Sequence, residues 1–134
     1  MPTGEQDAIG RQPLAKLLGI EVVEARADRV LARLTVREAV CTSGGILHGG
    51  AFLALADSAG AIGASLNLRP GDGTTTIESK TNFLGSAAVG AVVTAEALPI
   101  HIGRRSSVWQ TRITNDTGRL LALVTQTQLV LQAS

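Results

Sequence analysis

Between residues 30 and 37 the chain alternates strictly, with Val30, Ala32, Leu34 and Val36 on one phase and Leu31, Arg33, Thr35 and Arg37 on the other. A period of two is the mark of a strand with one buried face. The preceding segment, IEVVEARA, also reads as extended, and a turn near Asp28 makes the two a hairpin. Before them, QPLAKLLGI predicts a short helix with Pro13 in its opening turn and Gly19 at its end. Residues 44–68, GGILHGGAFLALADSAGAIGASLNL, show neither alternation nor a polar stripe. They predict a long helix from about 49 to 68, stopped by RPGDG. From Thr74 onward Thr, Val and Ile dominate, with breaks at GSAAVG, HIGRR and NDTG, which predicts four further strands.

Strands that follow one another in sequence favour an antiparallel sheet, and the one long apolar helix must cross its face to bury itself. The fold class is therefore α+β. A chain of 134 residues fits one domain, 1–134, with residues 1–10 as a flexible leader.

Composition narrows the function. Hydrophobic residues at 45% against 17% charged exclude a disordered chain. A net charge of +1, no basic run, and Phe52, Phe83 and Trp109 as the whole aromatic content speak against nucleic-acid binding. The apolar stretch is long enough to raise a membrane span, but His48, its many glycines and alanines, and Asp57 at its centre argue against one. Cys41 is the only cysteine and MPTGEQDAIG carries no secretory signal, so a cytoplasmic protein is expected.

Asp57 is the only acid in the long helix, whose Ala, Gly and Ser residues suit close packing on nearly every side. A carboxylate wrapped in that way is costly unless donors hold it. Two readings stay open, a structural Asp bonded to neighbours such as Ser58 and a reactive one. The helix start, LHGG, bears on the choice. Gly49 and Gly50 expose peptide N–H groups at the positive end of the helix, a site for a carbonyl oxygen or oxyanion. His48 either caps the helix or touches the same site. Gly49 and Asp57 are eight residues apart, roughly 12 Å along the axis at 1.5 Å per residue. One substrate could meet both only across a two-fold axis, with each helix start facing the other copy's acid.

At these residues the sequence resembles the hot-dog-fold acyl-CoA thioesterases, in the branch of the phenylacetate-degradation thioesterase and the Glu-containing 4-hydroxybenzoyl-CoA thioesterase. TSGGILHGGAFLALADSAG and PIHIGRRSSVWQTRITNDTGRLLALVTQTQLVL carry the likeness. It implies a long helix wrapped by a curved antiparallel sheet, dimers that pair into homotetramers, and hydrolysis of an acyl-CoA without metal or organic cofactor. By resemblance Asp57 is nucleophile or general base, Gly49 donates its N–H to the carbonyl, His48 lies beside it, and Ser58 places water or the carboxylate. Gly50 belongs to the same helix start; Asn82 and Phe83, in ESKTNFLGS, either line the acyl cavity or serve strand packing alone, and the resemblance implies that Arg104 and Arg105 dock the nucleotide of coenzyme A. As adjacent strand residues only one of these two arginines would reach a given phosphate. Thr42 stands where the family commonly has Asn or Gln, and Ala61 where some members have Thr or Ser.

The reading is thus an acyl-CoA thioesterase. Two alternatives remain at this point, a module that binds acyl-CoA without turnover and enoyl-thioester hydration on the same fold.

Overall fold

A computed structural model describes residues 12–134; the leader assigned to residues 1–10 lies outside the described residues. Helix α1 (Pro13–Leu18) is followed by β1 (Glu21–Arg26) and β2 (Arg29–Thr35), then by the long helix α2 (Gly49–Ser65). Strands β3 (Gly73–Phe83), β4 (Val92–Ile102), β5 (Ser106–Thr114) and β6 (Leu120–Leu131) complete the chain. These are the elements, in the order, that the hydrophobic pattern predicts. The Arg26↔Arg29 pairing closes the first hairpin at Asp28. Helix α2 stops three residues short of the expected end, because Asn67 turns back to cap it, donating to Gly63 O at 2.9 Å and to Ala27 O at 2.8 Å.

The six strands form one antiparallel sheet in the order β1-β2-β4-β5-β6-β3. After β2 the chain crosses the sheet's inner face as α2 and returns at the far edge as β3, and β4, β5 and β6 fill the gap. The period-two phase survives in three dimensions: Val30, Ala32 and Leu34 of β2, Val93, Ala95 and Ala97 of β4, and Trp109 and Ile113 of β5 are all buried. Against them lie Leu55, Ala56, Ala59 and Ile62 of α2. The helix comes very close at Gly63, where a Cβ would stand 2.5 Å from Cη2 of Trp109. Only a glycine lets the indole lie on the helix backbone. Trp109 keeps its own donor satisfied, giving Nε1–H to Ser107 Oγ at 3.0 Å.

Strand β3 breaks register once. Thr76 pairs with Gln128 and Glu78 with Thr127, which leaves Ile77 as an extra residue. The bulge resets the phase of the strand. Thr76 faces inward before it, and Ser79 and Phe83, opposite the inward Gln126 and Ala122, face inward after it.

Candidate active site

Residues 40–48 present the start of α2. His48 N–H donates to Val40 O at 3.0 Å and Thr42 N–H to Ile46 O at 2.8 Å, a small hairpin that fixes where the helix begins. His48 is the N-cap, its Nδ1 accepting Gly50 N–H at 2.7 Å. Since Nδ1 is an acceptor, the neutral ring carries its proton on Nε2. The Gly49 N–H, in the first turn, has no acceptor within the helix. Phe83 lies over Gly49, close enough that a Cβ there would stand 3.2 Å from its ring, and packs edge-on against Phe52 with centroids 6.0 Å apart.

Asp57 departs from the expectation of a buried acid: in the single chain it is exposed. So does the helix as a whole. Gly50, Leu53, Ala54, Asp57, Ser58 and Ala61 form a stripe that is half-buried or open, while the opposite side is sealed by the sheet. The sheet wraps α2 on one side only: Ala51, Ala56, Ala59, Gly60, Gly63 and Ala64 are buried, whereas Ala54, Ser58 and Ala61 lie on a face left clear, so close packing within the described residues does not reach every side. Beside this stripe, Leu53, Ala54, Asp57, Thr76 and Ser79 line a shallow hollow of about 210 Å³. Nearer the helix start, Leu14, Leu18, Val40, Cys41, His48 and Ala54 are among the lining of an apolar depression of about 260 Å³.

The carboxylate is gripped by one oxygen. Oδ1 accepts the Thr76 hydroxyl at 2.6 Å and Gln126 Nε2–H at 3.2 Å. Gln126 reaches it by lying against Gly60, where a Cβ would come within 2.5 Å of the amide carbon. Thr76, Ser79, Gln126 and Gln128 were not singled out from the sequence. The signal was there in TQTQLV, two amides on the inward phase of a strand whose other inward residues, Ala122 and Val124, are apolar.

The remaining site residues fall in different places. Ser58 borders Asp57 on the open stripe and makes no hydrogen bond to it among the described residues. Thr42 uses its hydroxyl locally, accepting Gly44 N–H at 3.2 Å. Phe83 is at the helix start, whereas Asn82 is exposed on the outward phase of β3, opposite Leu123. Arg104 and Arg105 lie in the turn between β4 and β5, not in a strand, and both are exposed. Strand alternation therefore does not separate them. Arg104 borders a groove of about 230 Å³ with Asn67, Arg69 and Asp72, at the carboxyl end of α2. Within one chain the arginines and Gly49 thus occupy opposite ends of the helix, with Asp57 between. Among the described residues no group of three or more His, Cys, Asp or Glu is placed to hold a metal ion, and no helix is long and apolar enough to cross a membrane.

Comparison with known proteins agrees with this fold. The family model described as thioesterase superfamily matches residues 44–122. The 1,4-dihydroxy-2-naphthoyl-CoA hydrolase of Listeria monocytogenes is 37% identical over 110 residues, covering 82% of this chain and 89% of its own. The solved structure of the thioesterase HI1161 from Haemophilus influenzae superposes with a TM-score of 0.89 at 30% identity, over 98% of this chain and 92% of that one. The E. coli PaaI protein of the phenylacetic acid degradation operon shares the fold, with a TM-score of 0.87 at 23% identity over 97% and 93% of the two chains.

Proposed function

Because the chain belongs to the thioesterase superfamily and is a thioester hydrolase of the hot-dog fold, we propose that it hydrolyses an acyl- or aryl-coenzyme A with Asp57 as the reacting carboxylate and the partner subunit's Gly49 polarising the carbonyl through its N–H. Thioester hydrolysis displaces the two alternatives, binding without turnover and enoyl hydration. The observation that carries the residue assignment is Asp57 itself, standing mid-helix on an open stripe with Oδ1 held and Oδ2 unengaged among the described residues.

A helix of 17 residues keeps its own start too far from that acid for one carbonyl to touch both. A second copy packed antiparallel on the small-residue stripe of α2 removes the conflict, because a two-fold axis sets each helix start against the other acid. The same operation brings the carboxyl end of one helix, with Arg104 and Arg105, toward the start of the other. There the guanidinium groups meet the phosphates of coenzyme A. The acyl group enters the apolar depression beside His48, with Phe83 at the helix start. Pairing of such dimers into a tetramer, and a cytoplasmic setting, complete the reading.

In the reaction, negative charge develops on the carbonyl oxygen, and a free peptide N–H at a helix start is fixed in advance to receive it. Asp57 either takes a proton from water as the water oxygen attacks the carbonyl carbon, or attacks that carbon itself to give a mixed anhydride that water then opens. In both routes the C–S bond breaks, the sulfur leaves as a thiolate and takes up a proton, and acid and free thiol result. The carboxylate and the peptide donors suffice for this chemistry, so no metal or organic cofactor is part of the proposal.

The test is thiol release over a panel of acyl- and aryl-CoAs that begins with 1,4-dihydroxy-2-naphthoyl-CoA, the substrate in the Listeria relative's name. Asp57→Ala should lower kcat by about 10³-fold or more. Gly49→Pro removes the N–H at a position where proline is tolerated. Each variant alone should be nearly inactive, and co-expression of the two should restore about a quarter of wild-type activity, since half the dimers then hold one intact site. No restoration would place the whole site in one chain.

A further inference from the structure

Behind Asp57 the sheet carries a run of polar side chains with a single direction. Thr76 Oγ1 accepts Gln128 Nε2–H at 2.6 Å, and Gln128 Oε1 accepts the Thr74 hydroxyl at 3.1 Å. An amide nitrogen can only donate. Gln128 therefore occupies a lone pair of the Thr76 oxygen and turns the hydroxyl proton toward the carboxylate. From Gln128 through Thr76 to Asp57 the bonds donate the same way, and successive bonds of one polarity reinforce each other; the single Thr74 proton is shared between Gln128 Oε1 and Leu129 O. Gln126 adds a second donor to the same oxygen. Gln126 and Gln128 are 0% and 1% exposed, so neither can swing to solvent.

Stability alone does not account for this arrangement. Gln126 Oε1 is buried without a hydrogen-bond partner among the described residues, and an unsatisfied buried carbonyl is unfavourable where an apolar side chain would simply pack. The amide also demands a glycine at position 60, in the interior of a helix, where glycine is a poor helix former. What the unfavourable groups achieve in common is that two donors converge on Oδ1.

The geometry points to Thr76, Gln126 and Gln128 as positioning residues for Asp57, which lock the carboxylate torsion by Oδ1 so that Oδ2 is the oxygen presented to water or thioester. This rests on the assignment of Asp57 above. Thr74 anchors the far end of the run, and its hydroxyl is also 3.0 Å from Leu129 O.

Steady-state thiol release by the full-length protein separates positioning from packing. Thr76→Val keeps the shape and loses the hydroxyl; kcat should fall roughly tenfold to hundredfold, as for a misaligned reacting group, with KM within about threefold. Thr76→Ser restores the donor without the methyl, and its kcat should return to within about threefold of wild type. Gln128→Met leaves Thr76 in place but removes the donor behind it, and should lower kcat by about threefold to tenfold with no loss of thermal stability. If Thr76→Val keeps wild-type kcat, or if Thr76→Ser is as impaired as Thr76→Val, the positioning role is overturned; wild-type kcat in Gln128→Met removes Gln128 from it. Asp57→Asn guards the premise: should it release thiol at the wild-type rate, the assignment of the acid fails, whereas an inactive Asp57→Asn beside fully active Thr76→Val sinks the positioning role alone.

Discussion

Gly60 and Gly63 lie one turn apart on α2, and each allows a side chain from the sheet to rest on the helix backbone. At Gly63 the side chain is the indole of Trp109, an apolar mass whose one polar atom is satisfied within its own strand. At Gly60 it is the amide of Gln126, which leaves one oxygen unsatisfied among the described residues and extends its nitrogen to Asp57. The same backbone device thus serves cohesion at one site and, on the proposed role of Asp57, orientation of the acid at the other. The difference lies in what the incoming side chain does with its polar atoms: Trp109 closes its own off within its strand, and Gln126 extends its nitrogen to the acid.

Breaking the two contacts should separate these roles. The largest loss of stability is expected for Trp109→Ala, about 3–5 kcal/mol for a fully buried aromatic, read from the denaturant midpoint. Molecules that remain folded at low temperature should keep their rate of thiol release. Gly60→Ala and Gly63→Ala should each cost about 1–2 kcal/mol, since overpacking outweighs the roughly 1 kcal/mol gained in helix propensity. Their activities should part. A methyl at position 60 pushes the Gln126 amide away and stretches a bond already at 3.2 Å beyond reach, so kcat should drop by about tenfold. At position 63 the rate per folded molecule should stay within about twofold. The smallest change belongs to Asn82→Ala, on the outward phase of β3, expected within about 0.5 kcal/mol of wild type and with KM unchanged. A rise in KM there would return Asn82 to the acyl cavity.

The contrast also explains what could be read in advance. Val30, Ala32, Leu34 and Val36 announce their strand because burial on one face enforces a period of two, and all four are buried. The helix declared itself through its small residues, and Asp57 through its isolation among them. Exposure of Asp57 was not legible, since small residues favour close approach without saying whether the approaching surface belongs to the same chain. The grip on Oδ1 was hidden for another reason. Thr76 and Gln128 meet only through the β3–β6 register, which contains a bulge, and a bulge changes the phase of a strand without leaving a signature in its composition. Arg104 and Arg105 were visible as a basic pair, but their place in a turn, not a strand, depends on where β4 ends.

That one extra residue, Ile77, has a wider consequence. With an unbroken pleat, Glu78 and Lys80 would fall on the helix side and Phe83 on the outside. The bulge decouples the two halves of β3, so the upstream half can hold the acid while the downstream half covers the helix start. Sequence drift beyond Ser79 can therefore reshape the covering of the helix start, and the grip of Thr76 on Asp57, where the proposed chemistry lies, stays in alignment.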